Sequence, residues 1–184
     1  MSEAIDAETK LKLYMLMVSR YKDLINENET RSVSEIRQRI SPYSDTIKSL
    51  NMRLTEDLQP FSYEQHFITA AQRAINYIRE IKTCQFTITF WLGFDEMDKL
   101  KLGGIMDKAL LFAALLRSFG SDQVLVKVAK SGKTYVSFLW EGKEYMFVPE
   151  SGSLLTGDDV VSVFSKDPLD YMFNDLTYEN YGEE

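Results

Sequence analysis

The sequence predicts an α+β protein, and three observations carry that prediction. Apolar residues at helical spacing fill the first half of the chain, one segment near residue 110 is apolar on nearly every side, and three short β-rich runs follow it closely. Helices that precede strands, instead of alternating with them, are the order of an α+β architecture with an antiparallel sheet.

Between about Asp6 and Asn26, Leu11, Tyr14, Val18, Tyr21 and Ile25 recur at three- and four-residue steps, and Met15, Leu16, Met17 and Leu24 widen the stripe. This predicts an amphipathic helix with a broad buried face. The same series runs in heptad steps over about two heptads, so a weak homodimer stands beside the monomer as an expected state. Ser32 with Glu35 has the spacing of a capping box and opens a second helix carrying Ile36 and Ile40. Pro42 ends or restarts it; Ile47, Leu50 and Leu54 mark another short helix before Pro60. Residues 1–58 therefore read as a helical extension.

Ser62 and Gln65 repeat the capping-box spacing ahead of Phe67, Ile68, Ala71, Ile75, Ile78 and Ile81, a helix ending near Lys82. "CQFTITFWLG" (84–93) has the β-branched and aromatic bias of a short strand or extended segment. The helix from Ile105 to Phe119 is apolar almost all round, so it belongs at the centre of the fold, with Gly120 as its stop. "QVLVKVA" (123–129), "TYVSFLW" (134–140) and "EYMFVP" (144–149) are separated by "KSGK" and "EGK", which suit hairpins. Asp158 caps a further helix bearing Val160, Val161, Val163 and Phe164. Residues 59–165 make the core domain, and residues 166–184 an acidic, tyrosine-bearing tail whose first half packs on the protein itself.

A net charge of −7 and a pI near 4.9 argue against nucleic acid, which draws its affinity from clustered Lys and Arg. The polar start and the lack of an apolar run of about 18 residues predict a cytoplasmic chain without a membrane partner. A single cysteine, Cys84, and a single histidine, His66, offer neither a disulfide nor a metal cluster, and no cofactor is expected. "DEMD" (95–98) and "GDD" (157–159) lack the spacing of a calcium loop and read as solvated.

"LKLGGIMDKALLFAALLRSFG" (100–120), followed by three antiparallel strands and Pro149, resembles the transglutaminase-like branch of the papain-like cysteine peptidase superfamily. Gly103, Asp107, Lys108, Ala109, Leu115, Leu116, Arg117 and Gly120 match the pattern of that family's catalytic helix, and the resemblance spans roughly residues 62 to 155. It implies a papain-like core: a central buried helix packed on an antiparallel sheet. The family uses a thiolate, an imidazole to take its proton and a carboxylate to orient the imidazole. On this chain the Cys position falls on Ile105, the His position on Lys133 or Thr134, and the Asp position on Val148. The resemblance therefore implies a non-catalytic domain, not an enzyme, binding a protein or peptide in the former groove at Ile105, Met106, Lys133, Thr134, Tyr135 and Val148, with Trp140 at its margin. The alternatives are a cysteine-dependent amide hydrolase or acyl transferase with an unfamiliar site, involving Cys84, His66 and Asp107, and a structural assembly subunit. Cys84 reads as a small buried hydrophobe, at the far end of a helix from His66. Asp107 reads as a first-turn residue held by the helix dipole.

Overall fold

Asp6 opens the first helix, α1 (Ala7–Glu29), by accepting the backbone N–H of Thr9 at 3.0 Å. The computed structural model describes residues 6–85 and 88–182. No residue of α1 is buried, contrary to the predicted buried face. The periodicity is real, but only the C-terminal end of the helix reaches the body: Asn26 Oδ1 accepts from Thr89 N at 2.6 Å, and Trp91 Nε1 donates to the Glu29 carbonyl at 3.0 Å.

The helices α2 (Val33–Gln38) and α3 (Asp45–Leu54) start where their caps place them, with Ser32 and Glu35 closing the predicted capping box. Ile36, Ile40, Ile47 and Leu50 enter the main core. A single 3₁₀ turn (Glu56–Leu58) and a cis Gln59–Pro60 bond lead into α4 (Tyr63–Glu80). Here the predicted Ser62–Gln65 box does not form. Ser62 N donates to His66 Nδ1 at 3.0 Å instead, so the sole histidine is spent on capping.

The two-residue strand β1 (Lys82–Thr83) pairs in parallel with β2 (Leu102–Gly103), and between them lies α5 (Phe94–Leu100), on the stretch read as a solvated loop. Part of "CQFTITFWLG", residues 86–87, lies outside the described residues. The central helix α6 (Ile105–Ser118) is buried without a break from Asp107 to Leu116, as its composition predicts. Gly120, at φ +97°, turns the chain out of it.

The main sheet takes β3 (Val124–Ala129), β4 (Thr134–Trp140), β5 (Lys143–Val148), β6 (Ser153–Thr156), β7 (Leu169–Phe173) and β8 (Tyr178–Asn180) in the order β6-β5-β4-β3-β7-β8, all antiparallel. Val136, Phe138 and Phe147 meet α6 on one face; Ala129, Tyr135 and Met146 meet Val160 of α7 (Asp158–Lys166) on the other. The tail is not peripheral. Its β7 fills the edge beside β3, and the buried Asn174 ties it there through Nδ2 to the Val124 carbonyl at 3.0 Å. The result is the expected α+β architecture, with a central helix on an antiparallel sheet.

Candidate functional site at the start of the central helix

The turn ahead of α6 is crowded. A Cβ on Gly103 would sit 2.7 Å from Met97 Cε, so the small residue lets α5 close down on the turn. Gly104 N then donates to Asp107 Oδ2 at 3.1 Å, and that carboxylate caps the helix. The other oxygen, Oδ1, is buried without a close hydrogen-bond partner among the described residues, and Arg39 Nη2 stands 3.8 Å from it. Burial pushes the Asp107 carboxyl above its usual range, against the opposing pull of the Gly104 N–H and Arg39. Arg39 itself is held by stacking on Trp91, 5.2 Å from the ring centroid, and by donating to the Leu92 carbonyl.

Cys84 arrives at this turn by strand pairing. Its backbone N–H donates to the Gly103 carbonyl at 3.0 Å, the last bond of the β1–β2 ladder. The thiol-bearing residue is half-exposed and lines a cleft of about 220 Å³ with Trp91, Gly104, Ile105, Met106 and Asp107. The expectation of a buried Cys84 is thus corrected. Nothing in the local sequence announces the placement, because the pairing partner lies 19 residues away.

The preceding residue, Thr83, opens on a different hollow. Lys108 Nζ lies 3.1 Å from Thr83 Oγ1 in a cleft shared with Glu150 and Ser151, and burial lowers the pKa of that amine. Adjacent strand residues project to opposite sides, so Thr83 and Cys84 serve separate clefts.

The residues expected to form one groove are divided. Ile105 and Met106 share the cleft with Cys84. Thr134 is buried opposite Val128, beside the exposed Lys133 at the β3–β4 turn. Tyr135 and Val148 lie on the face covered by α7, where Tyr135 packs edge-on against Phe164. Strand alternation separates them: Val136 and Phe147 take the α6 side, so their neighbours take the other. Trp140 packs edge-on against Tyr63 and at a tilt against Phe67, beside a cleft of about 580 Å³ at the far end of α6. His66 lies at the start of α4 and Cys84 beyond its end, so the two do not meet. Among the described residues no helix is long and apolar enough to cross a membrane.

No family model matches the chain, and no curated protein matches it significantly. Its fold resembles two solved structures of Legionella pneumophila LapG. The calcium-bound form aligns with a TM-score of 0.53 at 18% identity, over 83% of this chain and 91% of that one. The EGTA-treated form aligns with a TM-score of 0.53 at 17% identity, over 83% and 87%. LapG is a cysteine protease with a transglutaminase-like fold. The expectation that the chain is not an enzyme is corrected on that ground: its fold is one that a cysteine protease also has, and at 18% identity the likeness shows the fold alone.

Proposed function

We propose that the chain is a cysteine-dependent amide hydrolase or acyl transferase acting on a peptide or protein, with Cys84 as nucleophile and Asp107 as its base. The observation that carries this reading is the shared cleft at the start of α6, lined by both Cys84 and Asp107, whose buried Oδ1 makes no close hydrogen bond among the described residues. The positions that hold a triad in the resembling family carry Ile105, Lys133 or Thr134, and Val148, so the chemistry draws on these other groups.

The Cys84 thiol gives its proton to Asp107, and the sulfur adds to the substrate carbonyl. Burial raises the proton affinity of Asp107 and fits it to that task. The first-turn N–H groups of Ile105 and Met106, orphan donors at any helix start, suit the developing oxyanion. The C–N bond then breaks, Asp107 returns the proton to the leaving nitrogen, and water or an amine releases the acyl group from sulfur. Ile105 and Met106 form an apolar floor for the substrate side chain.

Two measurements test the assignment. Native Cys84 is expected to react with iodoacetamide without denaturant and faster than free cysteine, and Asp107→Asn is expected to slow that reaction. Hydrolysis of a fluorogenic peptide amide is expected to fall roughly 10³-fold in Cys84→Ser and roughly 10²-fold in Asp107→Asn. A thiol that reacts only after unfolding, or hydrolysis indifferent to Cys84→Ser, would overturn the proposal.

A further inference from the structure

The helix α1 poses a separate problem, independent of the cleft. Nine of its large apolar side chains are 37 to 64% exposed, and none of its residues is buried. A contiguous apolar surface of this extent marks an interaction site on a folded protein.

We propose that α1 pairs with the α1 of a second copy as a short parallel coiled coil, making the protein a homodimer. Leu11, Val18 and Ile25 recur every seven residues, with Tyr14 and Tyr21 between them, which is the a/d seam of two heptads. Such a seam is matched by a helix of the same period in the same register, and an identical helix meets that requirement without further design. Met15, Met17 and Leu24 flank the seam and extend its apolar width.

The charges agree with the parallel arrangement. In it a g position faces the next e position of the partner, which sets Lys10 against Met15 and Met17 against Lys22. No like charges are brought together, and each lysine stem lies along a thioether. The ion pair Glu8–Lys12, 2.7 Å long, joins an e position to a b position and so runs from the flank of the seam outward. The area suits a weak pair: Tyr14 and Tyr21 are 60% and 51% exposed and Val18 37%, which places a two-heptad seam at the low end of interface sizes, below about 1,200 Å² in total.

The experiment is mass measurement by light scattering on the full chain, followed by site-specific crosslinking. The expected mass is twice 21.3 kDa, falling to a single chain in the double variant Leu11→Lys, Val18→Lys. The melting temperature of that variant is expected to stay unchanged, because α1 lies off the core. Tyr14→Cys in a Cys84→Ser background is expected to form a disulfide with its own copy on mild oxidation, as facing d positions of a parallel pair do. A single-chain mass for the unmodified protein at every concentration overturns the proposal, as does a mass of three chains or more. So does a dimer that survives the double variant, or one in which Tyr14→Cys fails to crosslink.

Discussion

Asp98 shows how much a single carboxylate can organise. Its Oδ1 accepts from Lys101 Nζ at 2.7 Å, the Tyr77 hydroxyl at 2.8 Å and Arg53 Nη2 at 3.1 Å. Burial alone would push the carboxyl up, but the three donors outweigh it and hold the pKa at about 2, below the ordinary 3.8. A depressed acid contributes its full stability above its unfolded pKa and loses it as pH falls toward the folded value. Melting temperature is therefore expected to drop between pH 3.8 and about 2, and to drop less steeply in Asp98→Asn. Sequence reading placed Asp98 in a solvated loop because two of its donors, Arg53 and Tyr77, come from α3 and α4. Cys84 was misread for the same reason. Its exposure depends on pairing with Gly103, and the single groove expected around Ile105 and Met106 is divided because strand alternation sends Tyr135 and Val148 to the α7 face.

Among the elements, α6 was the most legible. An apolar segment with no polar face has one place to go, and Phe112 illustrates the packing that results: it is fully buried, with ring centroids 4.7 Å from Phe147 and 6.3 Å from Phe138. Phe112→Ala is expected to cost about 3–5 kcal/mol, read as a lowered denaturant midpoint with little change in slope. Capping was only partly readable. The Ser32–Glu35 spacing formed its box, but the same spacing at Ser62–Gln65 yielded to His66, whose ring nitrogen took the N–H first. The helix α5 was missed because its seven residues are too few to show a period, and it is held by Glu96 accepting from Gly93 N at 2.7 Å.

For the whole molecule, local periodicity gave the α+β class and the β3–β4–β5 meander, since both follow from neighbouring residues. It did not give the pairing of β3 with β7, which joins residues 40 to 47 positions apart, or the exposure of α1, which depends on what the rest of the chain leaves uncovered. Truncation after Lys166 removes β7 and β8 and opens the β3 edge. The shortened protein is expected to aggregate and to lose its cooperative thermal transition, as light scattering and circular dichroism during heating would show. The same edge matters during synthesis, which proceeds from the N-terminus. The meander and the buried α6 exist before β7 has been made, and for that interval β3 presents an unpaired edge to any neighbouring nascent chain. A chaperone that shields exposed strands is therefore expected to raise the yield of the full chain, by guarding an edge that the finished protein closes for itself.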